Sequence, residues 1–327
     1  MFEGVLDFIG CGALNWDLFF EVEAFEEVKF EGIKPKPGRE ILLERKTFLN
    51  FLNYLEKKAQ FLFECGGGSS ANTIYALSLW NFKCAFIGAL GKDSFGEKIL
   101  KELERVKIDQ SYILQKGETS LALILLDKKR DRFIAISPGK AEESLLEYEF
   151  KNLKIEGLFH FSSLASPYGQ KFQLNLLNQI NTSISLDPGE IYAELGLEFL
   201  KPFFKKTSYL FLTEYELQKI SISLEELFSF GVKKVFLKKG KKGAEVITSE
   251  RQKYFLPSIE VVKVVDNTGA GDYFNAGVLA GIKLKLPLEK ALRLGIISGG
   301  ISLRGFGRSG ILNLEEFKNQ VNLLKCE

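Results

Sequence analysis

Asp266-Asn267-Thr268-Gly269-Ala270-Gly271-Asp272-Tyr273-Phe274 follows the β-branched run Val261–Val265 and leads into a helical pattern that ends near Leu284. The spacing predicts a strand-to-helix turn with three small residues at its tip. The first backbone N–H groups of a helix lack partners within it, and the helix dipole adds partial positive charge there. The turn is therefore a candidate anion site, and Gly269, Ala270 and Gly271 leave room for a phosphate to approach the amides. Asp272 falls in the first helical turn, beside such an anion. A carboxylate there steadies the helix end, and it is also placed to take a proton from a hydroxyl attacking the phosphate. Asp266 and Thr268 offer oxygens on the approach side, where a cation can sit. An ordinary capping turn explains the same residues, so the rest of the chain has to decide.

Before this turn, Val5–Ala13, Lys83–Leu90, Gly157–Phe161, Ile184–Asp187, Tyr209–Leu212 and Val232–Leu237 read as short apolar strands, with helical patterns between most of them. Ser69–Phe82 and Ser94–Val106 are predicted helices, the second with Ser94 as its N-cap. Ala270–Leu284, Leu288–Leu303 and a terminal segment from Leu314 follow as helices. Strands alternating with helices argue for an α/β chain with a mainly parallel sheet covered on both faces. Two regions break the alternation. Leu18–Val22 is a second short strand, and Tyr112–Leu114, Leu121–Leu126 and Arg132–Ser137 read as a hairpin layer. These pieces are expected to form a small β-lid from segments of about 15–64 and 111–137 on a single domain covering 1–327. Residues 24–64 are the hardest to read; Phe48, Phe51, Leu52, Leu55 and Ala59 recur at helical spacing.

Composition excludes several functions. The 327 residues are 46% hydrophobic and 26% charged, an ordinary globular balance. Lys+Arg at 44 against Asp+Glu at 42 leaves no basic excess for nucleic acid. No apolar run is long enough to span a bilayer, and Asp7 interrupts the first one, so neither a membrane span nor a signal peptide is expected. Cys11, Cys65, Cys84 and Cys326 form no C-x-x-C pair, which fits reduced thiols and a cytoplasmic location. His160, the single histidine, cannot supply a zinc cluster and is expected to be a buried core residue.

The 266–274 run resembles the second signature of the ribokinase-like (PfkB) carbohydrate kinases. Gly67-Gly68-Ser69-Ser70-Ala71-Asn72, with Ile87-Gly88-Ala89-Leu90-Gly91-Lys92-Asp93-Ser94-Phe95-Gly96, resembles the first. Gly12 through Asn15-Trp16-Asp17, Arg132 before Pro138-Gly139, Thr213 through Glu216, and Lys238-Lys239-Gly240-Lys241-Lys242-Gly243-Ala244 occur in family order. The resemblance runs from about residue 5 to residue 310. It implies a ribokinase-like three-layer domain and an ATP- and Mg²⁺-dependent kinase acting on a sugar or, alternatively, a nucleoside. It further implies Asp272 as the base and the Gly269, Ala270 and Gly271 amides as an anion hole. Asn15, Asp17, Gly68 and Asn72 match substrate-binding positions. Lys238, Gly240 and Gly243 lie on the nucleotide loop, and Glu216 organises Mg²⁺ through water. Asp266 and Thr268 match part of a monovalent-cation site suited to K⁺. Family precedent suggests a homodimer joined through lids. Thr213 stands where the family usually has Asn, and Ser69 replaces a residue that is often Lys in ribokinases.

One rival comes from a different class. Gly66-x-Gly68-x-x-Ala71 matches a dinucleotide fingerprint with Asp93 about 20 residues on, so an NAD-dependent enzyme has to be weighed. That reading leaves the Gly269–Asp272 turn unexplained.

Overall fold

A computed structural model describes residues 5–149 and 156–326. The expected strands assemble into a nine-stranded sheet in the order β14-β13-β12-β11-β10-β9-β1-β5-β6. Its parallel members are β1 (Phe8–Cys11), β5 (Cys84–Leu90), β6 (Ile113–Gln115), β9 (Leu158–Ser162), β10 (Ile184–Asp187), β11 (Thr207–Thr213) and β12 (Lys234–Lys238). The hairpin of β13 (Ala244–Thr248) and β14 (Lys253–Leu256) closes one edge in antiparallel fashion.

The strands are apolar because both faces are covered. Successive residues alternate between two cores: Leu210, Leu212, Val235 and Leu237 point one way, and Phe211 and Phe236 the other. The first core is closed by α4 (Pro167–Gln179), α5 (Gly189–Phe204), α6 (Glu214–Ile220) and α7 (Leu224–Ser229). The second is closed by α2 (Ser69–Leu79), α3 (Ser94–Arg105), α8 (Ala270–Lys283), α9 (Leu288–Ser302) and α10 (Leu314–Cys326). The outcome is the ribokinase-like three-layer α/β arrangement.

A separate five-stranded sheet, in the order β3-β8-β7-β2-β4, forms the lid. It contains β2 (Asn15–Glu21), β3 (Glu40–Leu42), β4 (Gln60–Gly67), β7 (Ser120–Leu126) and β8 (Arg132–Ser137). The segment between β3 and β4 holds α1 (Arg45–Lys58), whose Phe48, Phe51 and Leu55 are fully buried at the helical spacing the sequence showed.

Four boundaries differ from expectation. The piece at Tyr112–Leu114 is not part of the lid: β6 pairs with β5 and extends the main sheet. The lid reaches Gly67, because β4 pairs with β2 along its whole length. Val261–Val265 is not a paired strand but an exposed approach to α8, tied down by Val265 N–H to the Leu303 carbonyl. Asp93, not Ser94, caps α3; its carboxylate accepts from the Gly96 amide at 2.8 Å and also from Thr119. An acceptor that reaches both an orphan helix amide and a neighbouring loop outcompetes a serine hydroxyl one residue later.

His160 is fully buried, with Nδ1 2.9 Å from Ser185 Oγ, and burial lowers its pKa to about 4. The core role expected for it is the one it has. The four cysteines are free, three of them buried. No helix among the described residues is long and apolar enough to cross a membrane.

Candidate active site

The C-terminal ends of parallel strands converge on the N-terminus of α8, the usual location of a ligand crevice in open α/β sheets. β10 ends at Asp187, β11 at Thr213 and β12 at Lys238, the last two opposite one another in register. The lid sheet covers this edge.

α8 begins from Gly269, which holds a left-handed φ of 77° and serves as N-cap. Its first intrahelical bond runs from Tyr273 N–H to the Gly269 carbonyl at 3.0 Å. The amides of Ala270, Gly271 and Asp272 precede that bond and face the cleft as donors, Ala270 making only a long 3.5 Å contact with Asn267 O. A Cβ added at Gly271 would meet nothing nearer than the Lys238 side chain at 3.5 Å, so the space above these amides is open and lies beside an ammonium.

Asp272 stands in this turn with both carboxylate oxygens oriented from α2. Ser69 Oγ donates to Oδ1 at 2.7 Å and Asn72 Nδ2 donates to Oδ2 at 3.0 Å, while Thr73 Oγ1 holds the Asp272 backbone carbonyl. Burial raises its pKa to about 6; the Asn72 and Ser69 hydrogen bonds and Lys238 oppose the rise, and Asp187 adds to it. A carboxylate near neutrality that already accepts a hydroxyl donor has the character of a general base.

Across from it, β2 presents Asn15, Asp17 and Phe19 on one face of the lid. Asn15 and Asp17 are buried, and Oδ1 of each lacks a partner. A Cβ at Gly67 would lie 1.9 Å from Asp17 Oδ2, so glycine on β4 is what allows the carboxylate to sit there. Gly68 has φ 101° and no room for a Cβ, which would fall 2.0 Å from the Ala13 carbonyl. Its part in the site is to turn β4 into α2. Burial pushes Asp17 up to about 7, with Arg308 opposing and Asp272, Asp266 and Glu102 reinforcing.

Lys238 forms an ion pair with Asp187 Oδ2 at 2.6 Å, and Asn275 Nδ2 reaches the same oxygen at 2.6 Å. Burial alone would raise the Asp187 carboxyl; Lys238 and Asn275 outweigh it and hold it below its usual range. Glu216 is buried beside this pair. Its Oε2 accepts from the Thr213 amide at 2.8 Å in a capping box, and Thr213 Oγ1 accepts from the Glu216 amide at 3.2 Å. Thr213, in place of Asn, thus serves as the N-cap of α6. Gly240 opens a turn with free space around it, whereas Gly243 is required by packing: its Cβ would meet Leu256 O at 2.1 Å.

Asp266 is buried and both its oxygens are in use. Oδ1 accepts from Thr268 N–H at 2.8 Å and Oδ2 from Gly307 N–H at 3.0 Å. It pins the α8 turn to the Gly307–Gly310 loop, and Thr268 Oγ1 is left buried without a partner.

Arginines at the far side of the lid from β4 tie it to the body. Arg39 pairs with Glu190 at 2.5 Å and also bonds Tyr215. Arg132 donates to Asn267 O at 3.2 Å, and Asn267 Nδ2 returns to Arg130 O at 3.1 Å. Glu40 on β3 is raised to about 7 by burial, with Arg132 opposing and Glu190, Glu216 and Asp272 reinforcing.

The dinucleotide rival does not survive this geometry. Gly66 and Gly67 end a lid strand antiparallel to β2, outside the parallel sheet that a dinucleotide turn requires.

Three site residues escaped the sequence reading: Asn275, Glu102 and Arg308; Ser69 and Asp187 were singled out there without a role at Asp272 or Lys238. Asn275 carried a usable signal, a polar residue inside an otherwise apolar buried run. Arg308 carried none, sitting in a glycine-rich loop.

The family model described as pfkB family carbohydrate kinase matches residues 52–312. Among curated relatives, a nucleoside kinase of Methanocaldococcus jannaschii is 27% identical over 311 residues, 93% of each chain. An uncharacterized sugar kinase of Archaeoglobus fulgidus is 28% identical over 246 residues, 72% of this chain and 97% of that one. Adenosine kinase from Sinorhizobium meliloti superimposes with a TM-score of 0.81 at 18% identity, covering 97% of this chain and all of its own. At that identity the superposition speaks for the fold.

Proposed function

The chain belongs to the pfkB family of carbohydrate kinases, and from that premise we propose that it transfers the γ-phosphate of ATP to a hydroxyl of a small sugar, with Asp272 as base. The observation that carries this reading is the Asp272 carboxylate, accepting a hydroxyl at 2.7 Å within the same helical turn that presents the Ala270 and Gly271 amides.

Asp17, Asn15 and Asn72 bind and orient acceptor hydroxyls, and the unpartnered oxygens of Asn15 and Asp17 are the acceptors those hydroxyls need. One hydroxyl replaces or joins Ser69 at Asp272 Oδ1 and loses its proton there as it attacks. The Gly269–Gly271 amides and the Lys238 ammonium hold the charge of the transferring phosphoryl group. Lys238, Gly240 and Gly243 shape the nucleotide side.

No cluster of three or more His, Cys, Asp or Glu side chains able to hold a metal occurs among the described residues. Mg²⁺ binds through substrate phosphates and water with one or two carboxylates. Glu216 is the carboxylate placed for it, and Mg²⁺ when bound neutralises charge on the β- and γ-phosphates. For a monovalent cation such as K⁺, Asp266 and Thr268 supply the oxygens: each Asp266 carboxylate oxygen accepts one amide and keeps a lone pair, and Thr268 Oγ1 is buried beside it.

A second reading, a nucleoside acceptor, is favoured by the apolar surface beside Asp17. Phe19, Ile124, Ile134 and Ile136 of the lid pack with Ala165 and Phe306 of the body. A base needs such a surface; a simple sugar does not. Incubating the protein with ATP, Mg²⁺ and a panel of sugars and nucleosides, scored by ADP release and product mass, separates the two. The expected result is turnover with a sugar. Turnover with nucleosides alone transfers the assignment to the second reading, and no turnover with any acceptor rejects both.

The lid also supports a homodimer as the quaternary proposal. β4 is an edge strand of the lid sheet, and Phe61 on it is 52% exposed. Sedimentation equilibrium is expected to show a dimer that Phe61→Lys weakens; a monomer at every concentration would refute it.

A further inference from the structure

Arg308 lies in the loop after α9, far in sequence from every other member of the site, and its side chain is only 6% exposed. Its Nη1 pairs with Glu102 Oε2 of α3 at 2.7 Å. Its Nε donates to Asn72 Oδ1 at 3.2 Å, and its guanidinium lies 4.5 Å from the centre of the Tyr75 ring. Glu102 in turn accepts the amide of Gly66 at 3.1 Å, reaching the lid strand that makes room for Asp17. Nη2 is buried and unpartnered on the same side.

We propose that Arg308 is a positioning residue for Asp272, acting through the side-chain amide of Asn72. This rests on the reading of Asp272 as base. An amide side chain has a donor end and an acceptor end of nearly equal size. With Arg308 Nε–H on one side and the Asp272 carboxylate on the other, a single orientation is favourable: oxygen to the guanidinium, nitrogen to the carboxylate. The reversed amide would set its oxygen against a carboxylate oxygen and its N–H against an N–H. Arg308 thus keeps a donor aimed at Asp272 Oδ2. The fork geometry matters, because one cation has to engage Glu102 and Asn72 at defined angles while stacking on Tyr75.

The other charged groups around Asp272 come from different elements. Lys238 and Asp187 lie on the main sheet, and Asp17 and Glu40 on the lid. None of them touches the Asn72 oxygen, so removal of Arg308 releases the amide; it also takes a positive charge away from Asp17 and leaves Glu102 without its ion pair, which Arg308→Lys restores in charge. Losing the donor at Oδ2 favours the protonated carboxyl, and the acid limb of kcat moves upward.

The test is the pH–rate profile of Arg308→Met, Asn72→Ala and the double variant, with thermal melts as a check on folding. Arg308→Met is expected to shift the acid limb up by about one pH unit, with kcat reduced about fivefold near pH 6, about tenfold below pH 5 and largely recovered by pH 8.5, and KM for ATP unchanged. The double variant is expected to show the limb of Asn72→Ala alone, since both act on one hydrogen bond. If Arg308→Met does not fold, Arg308→Lys keeps the charge without the fork and is expected to move the limb in the same direction by less. An unmoved limb with kcat lowered equally at all pH values overturns the proposal, as do shifts that add in the double variant. Should Asp272→Asn retain full turnover, the base assignment itself falls. Should that variant be inactive while the Arg308 variants leave the limb in place, only the positioning role falls.

Discussion

Asp272→Asn lowers kcat by about 10²–10⁴-fold, the usual contribution of a positioned general base, while the protein stays folded. The substitution keeps size and shape, and an Asn oxygen can still accept from Ser69 or Asn72. What it removes is the ability to take a proton. The α8 amides and Lys238 remain, so residual transfer and unchanged ATP binding are expected. Steady-state kinetics and a thermal melt check this together. A variant within tenfold of the wild type would mean that the proton leaves by another route.

Asp17→Asn is expected to act in opposite directions on stability and on acceptor binding. Burial raises the folded pKa of Asp17 to about 7 from the ordinary aspartate value of 3.8, so the native state holds a proton that the unfolded chain releases in the intervening range. The stability linked to that proton is full below about pH 4 and is lost as pH rises through 7. A shift of about three units at about 1.4 kcal/mol each makes the charged form costly by roughly 4 kcal/mol above pH 7, as an upper figure. Without acceptor, Asp17→Asn is therefore expected to be more stable than the wild type at pH 8 by roughly 2–4 kcal/mol, with the gap closing towards pH 4. Urea unfolding at the two pH values measures it. Acceptor KM should rise about 10–100-fold, the loss of a charged hydrogen bond, with KM for ATP unaltered. Equal stability at both pH values together with an unchanged acceptor KM would remove Asp17 from the substrate site. A carboxylate that destabilises the empty protein and is relieved by a ligand's hydroxyls exchanges stability for function.

The fold was legible where burial was two-sided. β5 and β11 show as apolar runs because helices cover both faces of the sheet, and α8 and α9 show as long periodic segments. The lid was less legible for a chemical reason. β2 starts at Asn15, three residues before its apolar run, because Asn15 and Asp17 are polar groups turned into the site. β3 is three residues long and depends on pairing with β8, and β6 depends on the β5 edge, so neither carries an independent pattern. At the site, Asp272 was legible from its place in a strand-to-helix turn, and Asn72, Asp17 and Lys238 through the resemblance to the family's motifs. Asp187 does not belong to any of those runs; it meets Lys238 through strand order, a long-range property. Arg308 joins Asn72 of α2 and Glu102 of α3 across more than 200 residues of chain, a convergence that local pattern does not contain.

The central claim, a proton accepted by Asp272 as phosphate moves, is tested most directly by the pH dependence of kcat for the wild type and Asp272→Asn under saturating ATP, Mg²⁺ and acceptor. The wild type is predicted to lose activity below a midpoint near 6 with unit slope, matching the raised carboxyl, and the residual rate of Asp272→Asn to be flat through that range. An acid limb that persists unchanged in Asp272→Asn would contradict the account.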